Sequence, residues 1–142
     1  MSNLDIKQID VCDMKDFHIG SAEDFDKLTG VTVISSKDGA TASVDVRGGG
    51  PATRETDLLS PENMVQAIHA VVLSGGSAYG LEASSGVMDY LASKDIGFDV
   101  GVGKVPIVCG ASLFDLQIGQ NSYPNKDMGY SAAHNAYEGE NI

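Results

Sequence analysis

Residues 69–91 read HAVVLSGGSAYGLEASSGVMDYL and predict a strand, a tight turn and a helix in direct succession. The apolar run HAVVL is typical of a buried strand, which Gly75 and Gly76 end in a turn. Glycine, alanine and serine inside the helical run indicate a helix packed very closely against a neighbour. The helical spacing recurs at Leu81, Ser84, Met88 and Leu91.

The first turn of this helix leaves backbone amides that can bind negative charge. Gly75, Gly76 and Ser77 nevertheless lack the lysine and the spacing of a phosphate-binding loop. A turn that relieves crowding between strand and helix is therefore favoured over a nucleotide site.

Residues 45–59, DVRGGGPATRETDLL, combine three glycines and a proline with a dense run of charge. Glycine allows positive φ or the close approach of another backbone, so the run predicts a shaped turn that makes a contact. Arg54, Glu55 and Asp57 place both signs of charge beside this turn. For this segment alone, an ion-pair network is favoured over a ligand site.

The other elements are predicted from periodicity and turn chemistry. Ser60-Pro61-Glu62 is typical of a helix start, and that helix should run to about Ile68. We further predict a hairpin of strands at 31–36 and 41–46, strands at 97–101, 105–108 and 111–116, and a last helix at 127–137.

Composition limits the class of protein. The 142 residues are the size of one domain, residues 1–142, and 42% of them are hydrophobic, which is enough for a core. The formal net charge of −11, with only nine Lys and Arg residues, argues against binding to nucleic acid or to anionic membranes. The chain shows neither an export leader nor an apolar run long enough to span a membrane, so we predict a cytoplasmic protein.

The cysteines, histidines and acidic residues do not indicate a disulfide, a catalytic triad or a metal site. Cys12 and Cys109 are far apart and predict free thiols in a reducing compartment. The three histidines stand in unrelated contexts, and His69, at the start of a buried strand, is expected to be structural. The chain has no metal-ligand motif, so we predict no metal and no cofactor.

Four segments in order carry a resemblance to a known family: DVRGGGPATRETDLL, HAVVLSGGSAYGLEASSGVMDYL, GFDVGVGKVPIVCGASLFDL and PNKDMGYSAA. Together they resemble the N-terminal half of peptidase family S58, which includes L-aminopeptidase/D-esterases, β-peptidyl aminopeptidases and nylon-oligomer hydrolases. The resemblance implies an α/β (α+β) fold, a four-layer αββα sandwich similar to that of N-terminal nucleophile hydrolases. It also implies a precursor that cuts itself into an α and a β chain, with a Ser or Thr nucleophile at the new N-terminus.

This chain reaches Asn141-Ile142, near where the cleavage segment of the family begins. We therefore expect an α subunit, whose nucleophile lies on a β subunit from the same precursor. The expected substrates are short peptides, amino amides or esters, and the family habit implies a homo-oligomer of αβ units. The alternatives are a non-catalytic binding or assembly module with the same fold, and an acyltransferase, in which an amine replaces water.

Site residues are carried over from the nylon-oligomer hydrolases, whose α chains lend a tyrosine, a lysine and an asparagine. The resemblance makes Tyr79 the first choice, as donor to the substrate carbonyl or leaving group. Lys104 is expected to hold a carboxylate or orient the nucleophile, although a lysine beside a strand is more often solvated. Asn121 is preferred over Asn125 as the oxyanion donor.

The remaining expectations concern residues that bind the substrate or hold the loop beside the site. Gly75, Gly76 and Ser77 are expected to let the substrate approach. Asp115 is expected either to recognise the substrate amine or to be a buried structural acid. Arg54 is expected to pair with Glu55 or Asp57 behind the site and to hold the loop without touching substrate.

Overall fold

A computed structural model describes residues 6–139. The chain end at Asn141-Ile142, on which the prediction of an α subunit rests, lies outside the described residues, and the side chain of Cys12 is not described either. The strands are β1 His18–Asp24, β2 Thr29–Ala40, β3 Thr53–Arg54, β4 Ile68–Ser74, β5 Phe98–Asp99, β6 Lys104–Val105 and β7 Val108–Ser112. The α-helices are α1 Ala83–Ser93 and α2 Lys126–Glu138, and 3-10 helices occur at Val11–Asp13, Asp57–Leu59 and Ser77–Glu82.

The main sheet is mixed and has five strands in the order β1-β2-β4-β7-β3. Strands β4 and β7 are parallel, and the other neighbouring pairs are antiparallel. The connection from β4 through α1 to β7 is therefore a βαβ unit. Its helix returns the chain to the end of the sheet at which β4 begins, so that β7 runs parallel to β4. Strands β5 and β6 form a separate small ribbon within that connection.

Both helices pack on one face of the main sheet. Alternate strand residues point toward them, because successive side chains of a strand point to opposite faces. The core beneath the helices is aliphatic with one buried tyrosine; its fully buried members include Val33, Val72, Val87, Tyr90 and Leu91.

The opposite face of the sheet is covered only in part. A second apolar cluster, formed by Ile68, Ile107 and Cys109, is covered by side chains of the irregular segment 41–67. Farther along the same face, Leu73 of β4 and Ala111 of β7 are exposed neighbours. The described residues thus form a sheet with one helical layer and one largely open face.

The strand, turn and helix predicted at 69–91 are confirmed, and so is the last helix. The close packing predicted for α1 is also confirmed, since a Cβ placed on Gly86 would stand under 3.0 Å from the backbone of Lys126. A Cβ placed on Gly129 of α2 would meet the backbone of Ala83 in the same way. The two helices cross where each presents a glycine to the other.

The hairpin predicted at 31–36 and 41–46 is wrong. Strand β2 continues through Lys37, Asp38 and Gly39 to Ala40, and residues 41–46 form no strand. The turn formers instead accompany an irregularity in the pairing of β2 with β4, where Gly39 has a φ of 82°. The true hairpin partner of β2 is β1, which the sequence pattern did not reveal.

The helix predicted from Ser60 to Ile68 is also wrong. A 3-10 helix at Asp57–Leu59 is followed by turns, and Ile68 begins β4. The Asn63 side chain donates to the Asp57 carbonyl at 2.7 Å, and the Gln66 side chain donates to the Asn63 carbonyl at 3.0 Å. Such local bonds offer the backbone an alternative to a short and therefore marginal helix.

The strands predicted at 97–101, 105–108 and 111–116 are confirmed only in part. The ribbon strands are two residues long, and one sheet strand, β7, spans Val108–Ser112. Residues 113–116 are not part of the strand, and the Leu113 carbonyl accepts a hydrogen bond from the Ser77 amide.

The glycine run at 48–50 makes no close contact, contrary to prediction. All three glycines are exposed, and a Cβ placed on any of them would meet no atom within 4 Å. Only Gly48 has a positive φ. Beside the run, Arg47 pairs with Asp45 at 2.6 Å, and both side chains are exposed.

His69 is buried in β4 and accepts a hydrogen bond on Nδ1 from the Ile107 amide at 3.2 Å. Burial lowers the pKa of this imidazole below 6.5, and the positive charge of Lys104 lowers it further. The unfolded chain therefore binds a proton at a higher pH than the folded chain does. Stability contributed by the neutral imidazole is complete above about pH 6.5 and falls as the pH decreases below that value.

We expect the free energy of unfolding, measured by urea titration at several pH values, to fall from about pH 7 to about pH 5.5. His69→Gln should remove this part of the slope, because glutamine does not titrate. His134→Gln is the comparison variant, since His134 is exposed on α2, 3.6 Å from Glu138, and is not part of the core. A slope that His69→Gln leaves unchanged would assign the titration to another group.

Candidate functional site

An open cleft of about 560 Å³ lies at the carboxyl ends of the parallel strands β4 and β7. In open α/β sheets, ligands bind outside the carboxyl ends of parallel strands. The cleft extends from these strand ends across the exposed sheet face to the β1–β2 turn. Its lining includes Phe25, Leu28, Thr29, Leu73, Leu113 and Asp115.

The glycine turn after β4 forms one end of the cleft. Its amides all donate to acceptors from other parts of the chain: Gly75 to the Gly30 carbonyl at 3.0 Å, Gly76 to Asp115 Oδ1 at 2.6 Å and Ser77 to the Leu113 carbonyl at 2.7 Å. These three amides are therefore occupied and do not offer an anion site, in agreement with the preference against nucleotide binding.

The turn is also strained and crowded. Gly76 and Ser77 both have positive φ, at 83° and 53°, and a Cβ placed on Gly76 would clash with Tyr123. A residue other than glycine in the left-handed region is uncommon and costs conformational energy. The geometry at Ser77 is held by its short bond to Leu113.

Asp115 reaches the turn because the loop that follows β7 folds back over the sheet edge. A Cβ placed on Gly119, within this loop, would stand under 3.0 Å from the Lys27 carbonyl of the β1–β2 turn. The loop thus packs on that turn and directs the Asp115 carboxylate to the Gly76 amide. Of the predicted binding residues, the structure brings Gly75, Gly76 and Asp115 together.

Tyr79 follows the glycine turn on the 3-10 helix Ser77–Glu82. Its ring stacks on Tyr123 with centroids 4.8 Å apart and planes 17° apart. The side chain is 62% exposed, and its hydroxyl has no hydrogen-bond partner among residues 6–139. The stack fixes the ring while the hydroxyl stays available to another molecule.

Lys104 lies away from this site. It belongs to the small ribbon, and its ammonium donates to the carbonyl oxygen of Asp95 at 2.7 Å and to Asp95 Oδ2 at 2.8 Å. The charge of Lys104 acts on His69, at the opposite end of β4 from the glycine turn, and β4 is roughly 20 Å long. The structure does not bring Lys104 to Tyr79, and its catalytic role stays a prediction from resemblance.

The two asparagines differ in what they do within this structure. Asn125 is the N-cap of α2, where its side chain accepts from the Met128 amide at 3.0 Å. Asn121 is exposed in the loop that also carries Asp115 and Tyr123. The capping bond leaves Asn121 as the freer of the two amides, and the oxyanion role stays a prediction.

The predicted pairing of Arg54 with Glu55 or Asp57 is wrong. The Arg54 guanidinium donates to Ser85 Oγ at 2.7 Å and to Met88 Sδ at 3.0 Å, both on α1. Arg54 therefore links β3 to α1 through these two side-chain hydrogen bonds. Glu55 has a φ of 58°, and its carbonyl accepts from the buried thiol of Cys109 at 3.4 Å.

Sequence reasoning missed two residues near the candidate site, of which Thr29 lines the cleft and Tyr123 lies beside the glycine turn. Tyr123 is recognised only through its stack on Tyr79 and its contact with Gly76. Thr29 is 9% exposed, lines the cleft, and has a hydroxyl with no hydrogen-bond partner among the described residues. Thr29 is a β-branched residue at the start of a strand, and nothing in the local sequence indicates that its hydroxyl lacks a partner.

Residues 6–139 contain neither a metal-binding cluster nor a membrane-spanning helix. In that range no three His, Cys, Asp or Glu side chains are grouped so that they could hold a metal ion. None of the helices there has the length and apolar character needed to cross a bilayer.

Comparison with known proteins gives one family. The sequence model described as Peptidase family S58 matches residues 5–140. An uncharacterized aminopeptidase of Mycobacterium tuberculosis is 52% identical over 104 residues, which are 72% of this chain and 30% of that protein. An uncharacterized aminopeptidase of Mycobacterium leprae is 49% identical over 110 residues, 77% of this chain and 30% of the relative.

A third relative is named for its reaction. The 6-aminohexanoate-oligomer endohydrolase of Paenarthrobacter ureafaciens is 33% identical over 123 residues, 86% of this chain and 32% of the enzyme. This chain thus spans about a third of the length of the curated relatives that it matches.

Proposed function

The chain belongs to peptidase family S58, and we propose that it is the α part of a self-cleaving aminopeptidase or amidase-esterase. In this proposal the nucleophile is a Ser or Thr at the N-terminus of a β chain from the same precursor. The observation that carries the proposal is the exposed Tyr79 hydroxyl, held by an aromatic stack beside the glycine turn that ends the cleft. The names of the relatives, aminopeptidase and oligomer endohydrolase, support the reaction class.

The reaction takes place in two steps. The β-chain hydroxyl attacks the carbonyl carbon of the substrate, while the α-amino group of the same residue accepts the hydroxyl proton. Tyr79 donates a hydrogen bond to the oxygen or to the leaving group, where charge develops. The amine or alcohol leaves with a proton, and water then cleaves the acyl-enzyme to release the acid.

The open sheet face supports the β-chain partner. Phe25, Leu73 and Leu113 are exposed and line the cleft, and Leu73 lies on the sheet face that carries no helices. The curated relatives extend well beyond the matched third of their length, so they contain chain that can supply another layer. A second sheet with its own helices on this face would complete the four-layer αββα sandwich.

The test is denaturing mass spectrometry with N-terminal sequencing of all polypeptides that copurify when the complete gene is expressed. We expect a second polypeptide that starts at Ser or Thr, in equal amount. Alanine at that starting position should abolish both chain cleavage and amide hydrolysis. A single uncut polypeptide with no such chain would favour a non-catalytic module and would reject the roles of Tyr79, Lys104 and Asn121.

A further inference from the structure

A second cleft, which we call the polar cleft, lies at the other end of β2 from the glycine turn. It has a volume of about 240 Å³, and its lining includes Lys15, Asp16, His18, Ser36, Lys37 and Asp38. Gly30 accepts the Gly75 amide and lines the first cleft, whereas Ser36 lies farther along the same strand, roughly 20 Å away. The two clefts are therefore separate sites.

The polar cleft lies where β2 leaves its regular pairing. The register of β1 with β2 ends at His18 and Ser35, and the register of β4 with β2 resumes only at Ala40. Successive side chains of a regular strand point to opposite faces. Here the consecutive residues 36–38 all line one cleft, because an irregularity of this kind redirects the side chains of the strand.

Lys15 and Lys37 have no ion-pair partner among residues 6–139. Six of the nine Lys and Arg residues are already held by another side chain, namely Lys27, Arg47, Arg54, Lys94, Lys104 and Lys126. Lys7 is the third without such a partner, and it does not line the cleft. Two of the three unpaired cations within the described range thus meet in one small space.

Two carboxylates line the same space. Asp16 and Asp38 are sequence neighbours of the two lysines, yet neither forms an ion pair or a hydrogen bond with Lys15 or Lys37 within residues 6–139. Together with His18 they do not form a group that could hold a metal ion. The polar cleft therefore presents two positive and two negative groups that are not bound to each other.

The walls of the polar cleft add a hydroxyl and a fixed ring. Ser36 is 9% exposed, and its hydroxyl makes no hydrogen bond among the residues that the structure describes. Unlike the hydroxyls of Thr29 and Ser84, it is not fully enclosed by protein. The His18 ring stacks on Tyr137 with centroids 4.2 Å apart, which holds the ring in place. A buried hydroxyl without a protein partner favours a bound molecule beside it.

We propose that the polar cleft binds a small zwitterion of the size of a free amino acid. The Lys15 and Lys37 ammonium groups and the Ser36 hydroxyl bind its carboxylate, and Asp16 and Asp38 bind its ammonium. A ligand with a single charge would meet like charge as well as opposite charge here, whereas a zwitterion meets opposite charge at both of its ends. This site goes beyond the proposed function and does not rest on it.

The experiment compares three compounds by NMR titration of the complete gene product at neutral pH. Alanine is the zwitterion, propanoate lacks its amine, and ethylammonium lacks its carboxylate. The signal is the imidazole resonance of His18, identified as the one that His18→Gln removes, so the titration reports on the polar cleft. We expect alanine to bind about fivefold more tightly than either of the other compounds, as two exposed ion pairs allow.

Two double variants separate the two ends of the ligand. Lys15→Met combined with Lys37→Met removes the positive charge at similar side-chain length, and it should bring the affinity for alanine to that for ethylammonium. Asp16→Asn combined with Asp38→Asn removes the negative charge at constant shape, and it should bring the affinity for alanine to that for propanoate. All four side chains are exposed, so we expect each variant to fold, which circular dichroism verifies.

Lys7→Met is the matched control, because it removes an unpaired lysine outside the polar cleft and should leave all three affinities unchanged. Equal binding of the three compounds, no shift of the His18 resonance with alanine, or a preference for alanine that survives either double variant would overturn the site. None of these outcomes depends on chain cleavage. An uncut product that prefers alanine would reject the hydrolase and retain the site.

Discussion

Gly86→Ala is expected to lower the free energy of unfolding by about 3 kcal/mol, the upper part of the range for overpacked interiors. A Cβ at this position would stand under 3.0 Å from the Lys126 carbonyl and the Tyr130 amide of α2. Both are backbone atoms of a helix, so they cannot rotate away, and the two helices must separate. Alanine gains about 1 kcal/mol in helix propensity over glycine, which offsets only part of this cost. Urea unfolding followed by circular dichroism measures the change.

Gly49→Ala is the matched control for this prediction. Gly49 is exposed, its φ is not positive, and a Cβ there would meet no atom within 4 Å. We expect its effect to stay within about 0.5 kcal/mol, as for other surface substitutions. If Gly86→Ala costs no more than Gly49→Ala, then α1 and α2 do not cross as closely as described.

Under the proposed function, Tyr79→Phe is expected to lower kcat of the cleaved enzyme by about 10²- to 10³-fold and to change KM little. Phenylalanine keeps the ring that stacks on Tyr123 and removes only the hydroxyl. A donor that acts on charge developed in the transition state contributes to kcat rather than to substrate affinity. Steady-state kinetics with an amino amide substrate, on enzyme shown to be fully cleaved by mass spectrometry, tests the prediction.

Tyr123→Phe supplies the comparison, because it removes a hydroxyl from the other ring of the same stack. We expect its kcat to remain within about threefold of the wild-type value. Full activity of Tyr79→Phe would contradict the donor role. A large loss in Tyr123→Phe alone would transfer that role to the loop after β7.

The elements that the sequence predicted correctly are those with strong local patterns. The strand and helix at 69–91 and the helix α2 have clear apolar runs or helical spacing, and glycine or proline marks their ends. The wrong elements had weaker local signals. The residues KDG were interpreted as a chain reversal, whereas β2 continues through them, and its pairing with β4 is irregular there and resumes at Ala40.

The site shows the same division. Tyr79 and the glycine turn were selected from the sequence because contiguous residues carry their resemblance to a family, and their roles in the site stay predictions. The partners of Arg54 were predicted wrongly, because neighbours in sequence were preferred over Ser85 and Met88, which only the packing of α1 on β3 brings close.

The sequence by itself determined the family, the strand, turn and helix at residues 69–91, and the need for small residues where the helices pack. Each of these features depends on the order and spacing of residues that are close in sequence. Only the tertiary structure decided that Thr29 faces Asp115 across Gly75 and that Lys104 lies at the far end of β4. These relations depend on strand pairing and on a loop that folds back over the sheet edge. Such contacts join residues far apart in sequence, and no local pattern encodes their distance.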